Sequence, residues 1–504
     1  MKLFSSVYIG SYEVTMKLYE LRQGRMPQNI DTMRMPMPIV YEISKTKSVS
    51  IETTEKLVSV ISDMKKVMDS YSADIRSVYA GATLHRAENE LFVLEQIRLG
   101  TGISVHVLRN SEQRFLEYIS VAAMSSFEDY IKNRCVMADV GGSSLQLTLF
   151  SEGKVSVTQH LPLGTFQLRD TYARLSEMPD HREQMSDMID KEFDVFQKMY
   201  LHENNPDTLI ILEDQLLPPI DEMRGSKNDL VVETDRLKKK LKNISINDDS
   251  SIGEMFHSSP ELSVEPVLLL HRELLKLIPS DTTVIPGAII NDGICLNYCY
   301  ENGIIKKHHD FHEDIINASW AIADRYDSYR PHLRTLRIIS LKIFDIMKKY
   351  HGMGKRQRLL MEVATILHDC GKYISIYESA ECSHRIILSS EILGLTHKER
   401  EIVAAVAKYN RTEMPMFREL RDQFSEEEYF VIVKLLAILK VSNALDRSHK
   451  QKLKNISMRI RNNELIIGVE ANDSITLEKG MFEKQADFFY RTFAIRPVIR
   501  EKNV

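Results

Sequence analysis

Cysteine and tryptophan are scarce in this chain. Five cysteines, Cys135, Cys295, Cys299, Cys370 and Cys382, occur among 504 residues, with a single tryptophan. The odd count and the lack of a CxxC pair argue against a disulfide framework or a zinc knuckle. Cys295 and Cys299 are expected on one strand or helix. All five are read as reduced, and the protein as cytoplasmic. No apolar run reaches roughly 18 residues, so no transmembrane helix is expected. Met1-Lys2-Leu3-Phe4 enters a strand-like pattern rather than the apolar region of a signal peptide. Positive charge is not in excess: 66 Lys and Arg stand against 71 Asp and Glu, a net charge of −5. That balance argues against a general nucleic-acid binder. Short repeats are lacking, and the one biased stretch is the polar segment 224–261. What is present, 43% hydrophobic and 27% charged residues, is ordinary for a soluble globular protein of about three or four domains.

One stretch stands out chemically: Ile366-Leu367-His368-Asp369-Cys370-Gly371-Lys372. Adjacent His and Asp offer an imidazole nitrogen and a carboxylate oxygen to one ion, a donor set suited to a divalent metal. Such a dipeptide alone is common, so its weight depends on its surroundings. Leu333, Leu336, Ile339, Ile343 and Met347 fall at helical spacing, and His332 lies on the inward stripe. Leu360, Ala364 and Leu367 form the stripe that delivers His368. Ser425 with Glu428 is a capping box; the helix it opens has Leu435, Leu439 and Ser442 on its inner stripe and ends at Asp446. Singly, each is read as a core histidine or a helix-terminal Asp. Together, in this order, His332, His368, Asp369 and Asp446 predict a metal site, with Asp369 and Lys372 as candidate catalytic residues. Lys372 could neutralise a phosphate oxygen or complement a helix C-terminus. His384 reads as structural. The order H…HD…D resembles the HD-domain phosphohydrolases, which implies hydrolysis of a phosphoester or phosphoanhydride by a metal-activated water.

Towards the N-terminus, residues 3–9 and 14–19 read as strands around Gly10-Ser11. Helices are expected at 54–71 and 89–100, strands at 77–79 and 103–107, an α/β alternation. A further strand, 135–140, ends in Asp139-Val140-Gly141-Gly142-Ser143-Ser144 and is followed by alternating 145–149. Both glycine turns would let backbone N–H groups approach a phosphate. Their repetition suggests a duplicated domain with a phosphate cleft between the halves, bound by Gly10, Ser11, Asp139, Gly141, Gly142 and Ser143. Residues 456–460 and 465–469 read as a hairpin around Asn462-Asn463, and 482–493 as a helix.

These turns carry a second resemblance. Tyr8-Ile9-Gly10-Ser11, the segments 82–89 and 92–107, 137–149, Leu161-Pro162-Leu163-Gly164, and 318–446 with Lys408-Tyr409-Asn410-Arg411 are similar to the exopolyphosphatase / guanosine pentaphosphate phosphatase (Ppx/GppA) family. The resemblance implies an actin-like (ASKHA, ribonuclease H-like) α/β half in two domains, 1–122 and 123–308. An all-α HD domain over 309–449 and a small α+β domain over 450–504 would follow. It implies a cytoplasmic phosphohydrolase acting on inorganic polyphosphate or a guanosine penta/tetraphosphate, or on another nucleotide at the HD site, with Mg²⁺ or Mn²⁺ as cofactor. It further implies a homodimer, with no membrane or nucleic-acid partner.

The departures from the family are chemical. Tyr8 replaces the Asp of the first turn, and His85 a phosphate-contacting Arg. The catalytic Glu aligns with Gln113, leaving Glu112 as a candidate after a one-residue shift. Gln146 replaces a later acid, Asn410 a frequent His, and Ile-Leu-Glu-Asp-Gln-Leu-Leu-Pro over 211–218 a Gly-Gly-Thr loop. Gln neither accepts a proton from water at neutral pH nor holds Mg²⁺ as a carboxylate does. The reading is therefore asymmetric: a degenerate cleft beside an intact metal quartet. The alternative is a non-catalytic protein that binds polyphosphate or a nucleotide. The lysines of 235–242 read as the solvated face of a helix.

Overall fold

Apolar residues at five of the eight positions of the first strand, Leu3, Phe4, Val7, Tyr8 and Ile9, fall on both of its faces and mark it as central. In the computed structural model this strand, β1 (Lys2–Ile9), is flanked by antiparallel β2 (Glu13–Leu21) and parallel β4 (Ile75–Ala80). The structure describes residues 2–142, 144–201, 205–213, 223, 229–242, 265–287, 290–471 and 473–501. These form two compact units, Met1–Asp310 and Phe311–Val504.

The first unit contains two sheets of like design. In the first, β3 (Gln28–Pro36) continues the meander beyond β2, and β5 (His106–Val107) lies parallel to β4, giving the order β3-β2-β1-β4-β5. The helix Ile51–Ser70 covers one face through Leu57, Ile61, Met64 and Met68. Its Ser50 cap accepts from Thr53 N. The second sheet repeats the meander with β6 (Arg134–Val140), β7 (Leu145–Ser151) and β8 (Lys154–Leu161). Parallel β9 (Thr208–Glu213) and β11 (Thr282–Ile285) extend it on the other side, ending in antiparallel β10 (Leu230–Glu233). Its core joins Leu145 and Leu147 to Phe193, Leu270 and Leu274 of the helices His181–Phe196 and Glu265–Leu277. The expected phosphate turns thus sit at the β1–β2 and β6–β7 connections, at the ends of corresponding interior strands.

Four strands escaped the sequence pattern. β9 runs into the 211–218 stretch expected to form a phosphate loop. β3 is exposed along most of its length and shows no alternation. β10 lies inside the segment expected to be a polar insertion. Most of that insertion falls outside the described residues, as do 214–218 of the expected phosphate-loop region. Within the insertion, the helix Thr234–Lys242 buries Leu237 and Leu241 and leaves Lys239 and Lys240 in solvent.

The second unit is helical from Phe311 to Ala444 and closes with β12 (Leu453–Arg461), β13 (Glu464–Ala471), the helix Thr476–Phe493 and β14 (Arg496–Glu501). Asn462 and Asn463 join β12 to β13 with φ of 53° and 58°, the left-handed pair that a tight hairpin requires. β14, the fourth unforeseen strand, runs parallel to β13. Both expected capping boxes form, Thr396 with Glu399 and Ser425 with Glu428. Among the described residues no helix is long and apolar enough to cross a membrane.

One close approach fixes the crossing of two helices in the first unit. A Cβ on Gly293, in the helix Ile290–Glu301, would lie 1.9 Å from the Leu116 carbonyl oxygen of the helix Asn110–Ala122. Gly293→Ala is expected to cost ~1–3 kcal/mol by overpacking. Thermal unfolding reads this as a fall of several degrees; an unchanged Tm would show that the crossing relaxes freely.

Candidate metal centre and phosphate cleft

Three helices build the centre in the second unit. His332 projects from Arg330–Ile346, a helix with Pro at its N-terminus. His368 follows the last residue of Lys355–Leu367, and Asp369 precedes a short 3₁₀ turn. Asp446 lies just beyond Glu426–Ala444. His332, His368 and Asp369 each bring one ligand-type atom within 4.8 Å of the others, and all three are buried.

The histidine tautomers follow from their partners. His368 Nδ1 donates to the Thr365 carbonyl oxygen at 2.8 Å, and His332 Nδ1 to Asp446 Oδ2 at 2.8 Å. Both Nε2 atoms therefore carry lone pairs. Both are buried, with no hydrogen-bond partner among the described residues. Buried nitrogens are seldom left so; two converging on a carboxylate form a donor set that fits a divalent ion. Asp446 differs from the sequence expectation. It stands behind His332, accepting also from Gln451 N at 2.8 Å and Gln451 Nε2 at 3.0 Å. That is the position of a carboxylate that orients a ligating histidine, not of a fourth atom in the cluster.

Gly371 has a packing reason. A Cβ there would lie 2.2 Å from Ser379 O and 2.3 Å from Ser383 N. Its absence lets the helix Ser379–Ser389 reach the turn, where Ser383 Oγ accepts from Gly371 N and donates to His368 O. Burial pushes the Asp369 carboxyl up, but His368, Lys372 and Arg411 outweigh it and hold the group well below the usual carboxylate range. Lys372 Nζ bonds Asp369 Oδ2, and Arg411 Nη2 bonds Oδ1 at 2.9 Å. His384 lies outside the cluster, and burial beside Lys408 lowers its pKa.

Sequence reasoning missed His449. Its ring stacks on His332 with centroids 3.6 Å apart and planes at 9°, while Tyr329 lies parallel on the same ring at 6.3 Å. It occupies the left-handed region at φ 56°. A lone His in a polar stretch carries no signal of this. Arg411 was quoted in a motif but given no role; only its neighbour Asn410 was.

Burial depresses His368 to about 4 from 6.5. The unfolded chain then binds more protons between those values, so His368 contributes stability at neutral pH that is lost as pH falls through that window. Metal-free protein is expected to lose about 2 kcal/mol from this group between pH 7 and 5. Urea unfolding at both pH values should show a smaller loss in His368→Gln; equal losses would contradict the assignment.

The cleft of the first unit is small and crowded by side chains. Gly10, Ser11 and Asp139 line one cavity of about 70 Å³ with Tyr8, Glu117, Glu213 and Asn291. Tyr8 is packed into the wall: a Cβ on Gly81 would meet its hydroxyl at 2.3 Å. Ser11 Oγ is paired with Thr83 Oγ1 at 2.8 Å. Gly141 and Gly142 are not in the lining. Phe166 covers Gly142, where a Cβ would lie 2.1 Å from the ring. Ser143 lies outside the described residues. Gln146 bonds His160 across the β7–β8 pair at 2.7 Å. His85 bonds Glu90 at 2.9 Å.

Glu112 departs from its expected role. Its carboxylate accepts from Arg109 N at 2.9 Å and caps its own helix, away from the cavity lining. Gln113 accepts from Ala82 N at 3.2 Å and donates to Glu117 at 3.0 Å. Glu117, one turn further on, is the acid of this helix that faces the cavity, and it is hydrogen-bonded to Asp139. Burial raises the Asp139 carboxyl despite the Arg114 guanidinium 3.8 Å away. The i+4 spacing from Gln113 was the available signal for Glu117.

Two family models match the chain: Ppx/GppA phosphatase family over residues 40–224 and Ppx/GppA phosphatase, domain III, over 321–484. Exopolyphosphatase 1 of Mycobacterium leprae is 24% identical over 205 residues, 40% of this chain and 59% of that protein. The Mycobacterium bovis protein of the same name is 22% identical over 205 residues, 40% of this chain and 58% of its own length. The chain thus spans about three fifths of the length of the curated relatives it matches. The crystal structure of an exopolyphosphatase from Cytophaga hutchinsonii is similar in fold, with a TM-score of 0.50 and 16% identity over 61% of this chain and all of that one. The repeated meander-plus-parallel sheets are the actin-like α/β arrangement of such proteins. On these matches, the chain belongs to the Ppx/GppA phosphatase family.

Proposed function

We propose that this protein is a metal-dependent phosphohydrolase of phosphoanhydrides, of the inorganic polyphosphate or guanosine penta/tetraphosphate class, with its hydrolytic centre in the helical unit, read as an HD-type domain. The observation that carries the reading is the pair of buried histidines whose Nδ1 atoms are satisfied and whose Nε2 lone pairs are not. A divalent ion, Mg²⁺ or Mn²⁺, held by His332, His368 and Asp369 would supply Lewis acidity toward a phosphoryl oxygen. Asp446 fixes the tautomer and orientation of His332. Lys372, partly in solvent, binds a phosphate oxygen. The cleft of the first unit binds phosphate through Gly10 and Ser11 without turning it over, because Gln113 cannot serve as a base. The expectations of a homodimer and a cytoplasmic location belong to the same reading.

A second reading rests on Glu117. Its carboxylate lines the cavity beside Gly10 and Ser11 and is bonded to Asp139, so it could replace the missing base one turn away.

Phosphate release from polyphosphate, guanosine pentaphosphate and a nucleotide panel separates the two, with bound Mn²⁺ measured alongside. His368→Ala/Asp369→Ala is expected to lose both the ion and turnover, by ~10²-fold or more. If turnover survives in that variant and is abolished instead by Glu117→Gln, the centre is the cleft. No turnover in the wild type, with phosphate ligands still bound, leaves a binding protein.

A further inference from the structure

The triad centre has an unusual balance of charge. Asp369 is buried, yet two cations are already on it: Lys372 at Oδ2 and Arg411 at Oδ1. Oδ1 is also the oxygen 3.6 Å from His368 Nε2. The atom that faces the vacant histidine nitrogen is therefore the one that Arg411 holds. With both histidines neutral, the Asp369 and Asp446 carboxylates balance Lys372 and Arg411. A divalent ion alone would add two positive charges to a largely buried setting, where like charges repel strongly.

The two cationic side chains differ from the carboxylate in exposure. Lys372 and Arg411 are 32% and 27% exposed and Asp369 6%, so the two cations are open to solvent while the carboxylate is not. A guanidinium offers five donors in a planar fork matched to phosphate oxygens, and the bond to Asp369 engages one edge of it. The adjoining Asn410 side-chain amide is buried with neither polar atom bonded among the described residues, a second unclaimed hydrogen-bonding group beside Arg411.

We infer that Arg411, with Lys372, is an oxyanion-binding arm of this centre, and that cation and phosphate occupy it jointly. The inference rests on the metal reading above. Without ligands, the two arms neutralise Asp369. An arriving divalent ion competes with them for the carboxylate, and a phosphate dianion takes the arms in exchange and restores the charge balance. Each ligand thus favours the other, by the same factor in both directions.

Free Mn²⁺, followed by its paramagnetic resonance signal, tests this with and without inorganic phosphate. In the wild type, phosphate is expected to tighten Mn²⁺ binding about tenfold or more. In Arg411→Met, Mn²⁺ alone should bind several-fold tighter than in the wild type, because a competing charge is gone, and the phosphate enhancement should shrink to within about twofold. Arg411→Lys, which keeps the charge, should keep wild-type Mn²⁺ affinity and part of the enhancement, and it serves in place of Arg411→Met should that variant melt early. Unchanged Mn²⁺ affinity in Arg411→Met, or full phosphate enhancement without Arg411, overturns the inference while leaving the metal site standing. No Mn²⁺ binding by the wild type or the variants overturns the metal reading, and this inference with it.

Discussion

A carboxylate taken out of water must be compensated, and Asp369 is where the helical unit meets that constraint. Leaving such a charge unpaired costs several kcal/mol. Its compensation gathers the C-terminal end of Lys355–Leu367, the turn after it and the end of His397–Tyr409 around one point. Gly371 permits the gathering sterically, since any side chain there would displace Ser379–Ser389. The histidines follow the same logic at second remove: each is held by one nitrogen, through Asp446 or the Thr365 carbonyl, so that the other faces Asp369.

The first unit meets its constraint by different means. Its cleft brings Gly10, Ser11 and Asp139 to one cavity, which side chains crowd. Tyr8 packs over Gly81, and Phe166 covers Gly142. Gln146 and Glu112 spend their polar atoms on His160 and on a helix cap. Ser11, Glu112, Gln113 and Gln146 are thus each paired within the protein.

The sequence was most legible where period and capping agree. The helices bearing His332, His368 and Asp446 were readable from apolar stripes, and Ser425 and Thr396 marked two helix starts that the structure bears out. Strands were readable where both faces or alternate faces are buried, as in β1, β6 and β7. β3 was not, because an exposed edge strand imposes no periodicity on its side chains. Within the site, ligand-type residues could be proposed but not ranked. That Asp446 backs His332 rather than joining the cluster depends on how the chain turns at Gln451. That His449 covers His332 depends on a left-handed backbone no motif announces.

The helix Ile290–Glu301 meets partners on two sides at its start. Asn291 donates to Ser6 O at 2.9 Å and to Thr15 O at 3.3 Å, Asp292 pairs with Lys17, and Gly293 lies against Leu116. β1, β2 and the helix Asn110–Ala122 are thereby pinned at adjacent residues of one helical turn. A hinge needs a joint whose contacts can slide, and this one is locked by hydrogen bonds on one side and by backbone contact on the other. The floor of the cavity beside Asn291 is therefore built on the most heavily cross-linked turn of this helix, a rigid base for whatever the cavity holds.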